Sequence, residues 1–247
     1  MQKLTKYSAR LVAFILRQLP LWLRNFIGDF IGFLWIDVLR FRRSIVMGNL
    51  LKAFPEKTQA ERTLIGRRSL RNMGRGLMEF CFFPYFTKDN FEEKFVFEGM
   101  EHFDKALAGG KGVALLSLHL GNGDMAAAGL SLRGYPLHLI SKEFKIKWVN
   151  DMWFGLRRRL GTRFIAPRNS SYAILKAFKA KEAVIFVLDQ FMGPPIGVKT
   201  TFFGHETGTA MGLTVMAKRA GVPVIPVYTY RLSDGRTKVI CEAPIEF

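Results

Sequence analysis

The sequence is poor in cysteine and in acidic residues. It has two cysteines, Cys81 and Cys241, which excludes a disulfide framework and the ligand spacing of a zinc site. Asp and Glu number 20 against 37 Lys and Arg, so the formal net charge is +17. Because 49% of the residues are hydrophobic and Phe occurs 23 times, a disordered basic tail is excluded as well. The 247 residues are therefore expected to form a folded, apolar and basic protein whose partners are anionic.

Long uninterrupted apolar runs are missing from the N-terminal segment, residues 1–41. A spanning helix needs about 20 apolar residues. Charged residues interrupt every such window, and they are Arg10, Arg17, Arg24, Asp29 and Asp37. A cleaved signal peptide is not indicated either, because no small-residue cleavage site follows the interrupted apolar stretch.

Basic residues in this segment are regularly spaced. Four of them recur every seven positions: Lys3, Arg10, Arg17 and Arg24. This spacing keeps them on one slowly drifting stripe of an otherwise apolar helix, which Pro20 should kink or divide. Such a stripe favours a segment that lies in a membrane interface, with Trp22 and Trp35 at headgroup level. A core-packing amphipathic helix and a tilted span over about residues 26–39 remain alternatives.

The rest of the chain predicts an α/β fold. Residues 44–81 are predicted to be helical with a break at Pro55. Short apolar runs then alternate with helical patterns, and the runs that predict strands are KGVALLSLHL, YPLHLISK, TRFIA, EAVIFVLD, VPVIPVYTYRL and RTKVICEAP. A Gly- and Pro-rich loop at 193–197 precedes a predicted helix in TGTAMGLTVMAKRAG. We therefore expect a mixed, mostly parallel central sheet flanked by helices over residues 42–247, preceded by the membrane-associated helical segment 1–41.

Two polar residues, His119 and Asp189, close predicted strands at the edge where such sheets bind ligands. His119 opens the sequence HLGNGD, in which Gly121 and Gly123 permit a tight turn that can fold Asp124 back toward the imidazole. A carboxylate on one ring nitrogen would leave the other nitrogen free to act as a general base. The simpler alternatives are a structural histidine and a helix-capping aspartate.

Motifs for other chemistries are absent from the sequence. There is no G-x-S-x-G nucleophile elbow, and neither cysteine lies near the HLGNGD segment. The GNG triplet lacks both the Gly-Lys-Ser/Thr of a Walker loop and the third glycine of a dinucleotide fingerprint.

The ordered set of motifs resembles the bacterial lipid A biosynthesis acyltransferase family, within the H-x4-D/E glycerolipid-type acyltransferases. His119 and Asp124 in KGVALLSLHLGNGD are similar to its catalytic block. Similar blocks are NLLKAFPEKTQAER and RRSLRNMGRGLMEF before it, and LRRRLGTRFIAPRN, VLDQFMGPPIGVKTTFFGHETGTAMG and AGVPVIPVY after it. The resemblance extends from about residue 44 to the end of the chain.

The resemblance implies a role for five residues. His119 would deprotonate an acceptor hydroxyl, and Asp124 would orient and charge-stabilise His119. Arg157 and Arg168 match basic positions of the family and would bind phosphate groups of the acceptor, since guanidinium groups suit phosphates. Asp189 falls on the family's Asp-Gln pair and would organise Arg157 or Arg168.

The resemblance also implies the partners and the location. The donor would be a thioester of acyl carrier protein or of CoA, and the acceptor an anionic lipid, first of all a lipid A precursor. No cofactor, metal or nucleic-acid partner is expected, and the enzyme would work at the cytoplasmic face of the bacterial inner membrane. A lysophospholipid, ornithine lipid or glycolipid acceptor stays open, because lipid A members often carry Glu where this chain has Asp124. A non-enzymatic basic protein that binds anionic membranes or nucleic acid is the alternative from another class.

Overall fold

The computed structural model describes residues 2–246, with side chains from Arg10 onward. These residues form two compact units. One comprises residues 3–84 and 200–207, and the other comprises residues 85–199 and continues from Gly208 to the end of the described chain. The predicted division into 1–41 and 42–247 stays a prediction.

The first unit is mainly helical. Its helices are α1 (Gln2–Gln18), α2 (Leu21–Phe33), a π-helical turn (Leu34–Val38), α3 (Arg43–Ala53) and α4 (Gln59–Glu79), and a 3₁₀ helix (Phe80–Tyr85) begins at its end. The breaks predicted at Pro20 and Pro55 are confirmed, because α1 and α3 end just before these residues. Helix α4 begins with a capping box, in which the Thr58 hydroxyl accepts a hydrogen bond from the Glu61 backbone and the Glu61 carboxylate accepts one from the Thr58 backbone.

Glycines bring α2 and α4 into backbone contact. A Cβ atom on Gly74 would lie 2.0 Å from the carbonyl oxygen of Gly28, and one on Gly32 would lie 2.5 Å from the Cα atom of Arg71. Ion pairs flank this contact: Asp29 accepts hydrogen bonds of 2.5 and 2.6 Å from Arg75. Asp29, one of the charged residues that interrupt the apolar windows of the sequence, is thus neutralised by an arginine of α4.

Asp37 makes a second such ion pair. Both of its carboxylate oxygens lie 3.0 Å from Nε of Arg67.

Within the part of the chain that the structure describes, no helix has both the length and the apolar character needed to cross a membrane. Interfacial association of the segment stays a prediction, and the Lys3 side chain of the predicted stripe lies outside the described side chains.

The second unit contains a seven-stranded sheet. Its strands are β1 (Phe95–Glu98), β2 (Val113–Ser117), β3 (Leu137–Ile140), β4 (Arg163–Ile165), β5 (Ala183–Val187), β8 (Val224–Arg231) and β9 (Thr237–Cys241). Between them lie a 3₁₀ turn (Phe91–Lys94) before β1 and the helices α5 (Met100–Ala108), α6 (Gly123–Leu132), α7 (Lys147–Arg159), α8 (Ser171–Lys179) and α9 (Gly212–Ala220). A hairpin of β6 (Gly197–Phe202) and β7 (His205–Ala210) forms a separate two-stranded sheet, and its residues 200–207 are counted with the first unit.

The sheet has the strand order β1-β9-β8-β2-β5-β3-β4. Strands β8, β2, β5, β3 and β4 are parallel, whereas β9 runs antiparallel to β8 and β1 runs parallel to β9. The predicted α/β class with a mixed, mostly parallel sheet is therefore confirmed. In β2, Val113, Ala114 and Leu115 are all fully buried. Because successive side chains point to opposite faces of a strand, both faces of the sheet are covered.

Two predicted boundaries differ from the structure. Strand β2 ends at Ser117, so Leu118, His119 and Leu120 lie beyond it instead of inside it. The helix predicted to begin at Thr207 begins at Gly212, and the residues before it belong to the β6–β7 hairpin. The hairpin has little hydrophobic alternation to reveal it, because most side chains of β6 are exposed.

Candidate functional site

The register of two parallel strands places His119 opposite Asp189. Strands β2 and β5 pair from Val113 with Ala183 to Ser117 with Val187. Continuing that register by two residues on each strand brings His119 and Asp189 together at the carboxyl edge of the sheet. The pair lies between neighbouring strands of the central sheet, at the edge where α/β sheets bind ligands.

The Asp189 carboxylate holds His119 by two hydrogen bonds. Its Oδ2 accepts from the His119 backbone N–H at 2.8 Å, and its Oδ1 lies 2.7 Å from the imidazole Nδ1. An ionised carboxylate can only accept, so Nδ1 donates and Nε2 of the neutral ring keeps its lone pair. Nε2 has no hydrogen-bond partner among the described residues, and 60% of the His119 side chain is exposed. The imidazole is therefore oriented by one carboxylate and open to a substrate on its other side.

The turn that follows His119 requires a glycine. Gly121 has a φ of +66°, and a Cβ atom there would lie 2.3 Å from the carbonyl oxygen of Thr229 in β8. The side chain of Asn122 then accepts a hydrogen bond of 3.4 Å from the backbone of Met125 and caps α6. The chain thereby reverses within a few residues and places Asp124 in the first turn of α6.

Asp124 forms an ion pair with Arg157 of α7 and is not hydrogen-bonded to His119. Only 15% of the Asp124 side chain and 11% of the Arg157 side chain are exposed. Burial raises the pKa of the Asp124 carboxyl, against the opposing charge of Arg157 and a smaller effect of His119. The guanidinium carbon of Arg157 lies 5.1 Å from the ring centre of Trp153 and 5.5 Å from that of Phe164, so aromatic faces enclose the cation.

The partners of the two aspartates are thus exchanged relative to the sequence-based expectation. Asp189, which was expected to organise an arginine, contacts His119, and Asp124, which was expected to orient His119, contacts Arg157. The physical reason is the pairing register of β2 with β5, which places Asp189 beside His119. Arg157 is largely enclosed, so little of its guanidinium is left to face an acceptor phosphate.

Arg168 is not brought to this cluster. It lies three residues beyond the end of β4, is exposed, and has no hydrogen-bond or ion-pair partner among the described residues. Because β4 is three strands away from β2, the two strand ends are separated by about 14 Å. Arg168 does share the carboxyl edge of the sheet with His119.

Exposed apolar side chains lie next to the site, and the sequence pattern does not predict them there. Leu118 and Leu120 flank His119, Phe191 follows Asp189 by two residues, and all three are exposed. These residues lie beside the two candidate site residues in the sequence, but the apolar run KGVALLSLHL predicts Leu118 and Leu120 inside a buried strand. An exposed apolar rim suits an apolar ligand at this edge.

The arrangement is suited to general-base chemistry. A histidine with a fixed tautomer, an exposed Nε2 and a carboxylate behind it can take a proton from a hydroxyl. The first backbone N–H groups of α6 begin four residues after His119 and provide donors for a developing negative charge. Among the described residues, no three His, Cys, Asp or Glu side chains are grouped as metal ligands.

Comparison with known proteins shows similarity to bacterial acyltransferases. The family model described as bacterial lipid A biosynthesis acyltransferase matches residues 2–247. The chain is 25% identical over 238 residues to the lipid A biosynthesis lauroyltransferase of Escherichia coli. The aligned region covers 95% of this chain and 76% of that protein. It is 25% identical over 228 residues to the lipid A biosynthesis acyltransferase of Haemophilus influenzae, covering 92% of this chain and 70% of the relative.

A more distant similarity involves a different acceptor lipid. The chain is 25% identical over 138 residues to the phosphatidylinositol mannoside acyltransferase of Mycobacterium tuberculosis, covering 55% of this chain and 44% of that protein. The family model, by contrast, spans the chain from its second residue to its last. The chain therefore belongs to the bacterial lipid A biosynthesis acyltransferase family and is an acyltransferase.

Proposed function

We propose that the protein transfers a fatty acyl chain from the thioester of acyl carrier protein or CoA to a hydroxyl of a lipid A precursor. The observation that carries this proposal is the Asp189–His119 pair, which leaves Nε2 as an exposed base in a chain of this family. The relatives named for lauroyl transfer and acyl transfer in lipid A biosynthesis support a fatty acyl group and a lipid A precursor as the acceptor.

The proposed reaction proceeds by direct transfer. His119 Nε2 takes the proton of the acceptor hydroxyl while its oxygen attacks the thioester carbonyl carbon, which gives a tetrahedral oxyanion. The oxyanion collapses, the carbon–sulfur bond breaks, and the imidazolium returns its proton to the departing thiolate. Asp189 stabilises the imidazolium, and the backbone N–H groups that open α6 stabilise the oxyanion.

Three residues have supporting roles in this proposal. Asp124 and Arg157 are positioning residues, because their ion pair fixes the start of α6 against α7 and so holds the turn that carries His119. Arg168 would bind a phosphate of the acceptor, since its exposed guanidinium lies at the same edge of the sheet.

The test of the proposal is an assay of the purified protein with acyl carrier protein thioesters and lipid A precursors. We expect acyl transfer by the wild type and a fall of roughly 10²- to 10⁴-fold for His119→Ala. A His119→Ala variant with full activity would exclude the proposed base. Mass spectrometry of lipids from cells with and without the gene would identify the acceptor and the acyl chain together.

A glycolipid is the second candidate acceptor. It is favoured by the similarity to a phosphatidylinositol mannoside acyltransferase and by the aspartate at position 124. Transfer to phosphatidylinositol mannosides or another glycolipid, with no transfer to lipid A precursors, would establish it in place of the first.

We also propose that the N-terminal helices associate with the cytoplasmic face of the bacterial inner membrane. Trp22, Phe26 and Phe30 follow one another at four-residue spacing on α2 and are all exposed, as an interfacial helix requires. Replacing these three residues by Gln should lower the fraction of the protein that sediments with membranes and release part of it. The matched control replaces exposed apolar residues of α4, namely Leu64, Met73 and Leu77, and equal release by both variants would exclude a specific role for α2.

A further inference from the structure

A loop with an unusual surface joins β3 to α7. The loop itself is residues 141–146; with the first two residues of α7 it forms the segment 141–148, with the sequence SKEFKIKW, which is called the loop 141–148 below. Each residue from Lys142 to Trp148 is exposed. Phe144, Ile146 and Trp148 are among these residues, and 52% of Trp148 is accessible. Single exposed apolar residues are ordinary, whereas several in one short loop indicate a surface that contacts something else.

Lysines alternate with these apolar side chains. The loop has three lysines, at 142, 145 and 147, and one acid, Glu143, so its net charge is 3 − 1 = +2. Lys147 Nζ lies 3.4 Å from Asp151, but 83% of its side chain is exposed, so this pair leaves the ammonium group accessible. Lysines beside Trp and Phe are typical of segments at a lipid headgroup layer, where the apolar parts sink and the ammonium groups meet phosphates.

The loop leaves the sheet at the same edge as the proposed catalytic pair. Strand β3 is parallel to β5, which is parallel to β2, so residues 141–148 follow the carboxyl end of β3 just as His119 and Asp189 follow theirs. The neighbouring loops add further exposed apolar side chains, which are Leu118, Leu120, Phe191, Met192 and Ile196. The reactive edge of the sheet is therefore surrounded by apolar surface on three adjacent loops.

We propose that the loop 141–148 docks on an anionic phospholipid bilayer, with Phe144, Ile146 and Trp148 at headgroup level and its lysines on lipid phosphates. The surface favours a bilayer over an acidic protein, because the apolar side chains spread over three loops, which suits a laterally extended partner. The inference rests on the proposed function in one respect, namely that the acceptor is a bilayer lipid which must reach His119. It differs from the proposal for α2, which concerns the other unit of the chain.

The first test measures partition of the full chain onto vesicles of phosphatidylglycerol and phosphatidylcholine. Each lysine near an anionic surface contributes to the free energy of binding to it. Reversing all three loop lysines to Glu should therefore lower the partition coefficient by roughly 100-fold or more at low salt. The matched control reverses Lys105, Lys111 and Lys179, which lie at the opposite edge of the sheet and carry the same charge. Equal losses in both variants, or no loss in the loop variant, would overturn the proposal.

The second test places a polarity-sensitive fluorophore in the loop through Ile146→Cys. The label should be selective, because Cys81 and Cys241 are buried and burial raises their thiol pKa values to about 11 and about 12. Addition of the same vesicles should shift the emission of the label at 146 to shorter wavelength, whereas a label at Lys111→Cys should not respond. An unchanged spectrum at 146 in vesicle-bound protein would contradict the docking.

Activity measurements separate this proposal from the proposed function. The loop variant should lose acyl transfer to acceptor embedded in vesicles but keep it with detergent-dispersed acceptor. Absence of any acyl transfer by the wild type, with vesicle docking intact, would exclude the proposed function and leave the docking in place. A loop variant that binds vesicles normally but uses acyl carrier protein poorly would instead show that the loop binds an acidic protein.

Discussion

Asp189→Asn is the substitution that most directly probes the proposed base. The Asp189 carboxylate makes two contacts with His119, one from the backbone N–H at 2.8 Å and one with Nδ1 at 2.7 Å. An asparagine of the same shape must keep its oxygen on the backbone N–H, because that donor needs an acceptor. Its amide nitrogen then faces Nδ1 and donates to it. The neutral imidazole is forced to carry its hydrogen on Nε2, and the base is lost.

The expected size of the effect follows from the exposure of the pair. In a buried Asp–His pair of a serine protease the same change lowers kcat about 10⁴-fold. Here 30% of the Asp189 side chain and 60% of the His119 side chain are exposed, so water competes with both hydrogen bonds and restores part of the correct tautomer. We therefore expect kcat/KM to fall by roughly 10²- to 10³-fold, which corresponds to about 3 to 4 kcal/mol of transition-state stabilisation.

The assay is initial-rate acyl transfer at saturating donor, with thermal unfolding recorded for the same samples. The midpoint of unfolding should change little, because the Asp189 side chain is partly exposed and keeps its shape as Asn. Asp89→Asn, an exposed site outside the pair, is the matched control and should keep wild-type activity. Activity of Asp189→Asn within an order of magnitude of the wild type would refute the assignment of Asp189 as the residue that orients His119.

Two further substitutions test the framework of the site, and a third tests a charged cluster at the opposite edge of the sheet. Gly121→Ala should lower the free energy of unfolding, measured by chemical denaturation, by at least about 2 kcal/mol, and it should also lower activity. The reason is that φ is +66° and a Cβ atom would meet the Thr229 carbonyl. The control is Gly123→Ala, which has open space at its Cβ and should be nearly neutral in the same measurement. Asp124→Asn should lower the free energy of unfolding by about 3 kcal/mol, because it leaves the Arg157 cation buried without its counter-charge. An unchanged midpoint of unfolding would mean that the ion pair has no structural role. Glu182→Gln should cost about 1 to 2 kcal/mol at neutral pH. Burial opposes ionisation of Glu182, but His138 and Arg163 outweigh it and hold the carboxyl pKa below its usual value. The difference from wild type should therefore disappear as the pH falls through that lowered pKa, and a difference that persists in acid would contradict the charge pairing.

The alternation of apolar strands and helices could be predicted from the sequence because the central strands are buried on both faces. Val113 to Leu115 and Ala183 to Ile185 are buried without interruption, so these runs stand out from their surroundings. The hairpin at 197–210 could not be predicted, because most side chains of β6 are exposed and β7, HETGTA, is polar, so neither strand has a periodic apolar face. The breaks at Pro20 and Pro55 could be predicted because proline acts on the local backbone alone.

The sequence by itself determined the type of site but not its internal contacts. A histidine, two aspartates and two arginines could be identified as candidates from their places in ordered motifs, and the basic, apolar composition already indicated an anionic partner. Only the tertiary structure decided that Asp189 contacts His119 and that Asp124 contacts Arg157, since the pairing of β2 with β5 joins residues that are 70 positions apart. It also decided that Leu118, Leu120 and Trp148 lie on the surface beside the site. Burial and register depend on which strands become neighbours, and that is a property of the whole sheet which no local pattern contains.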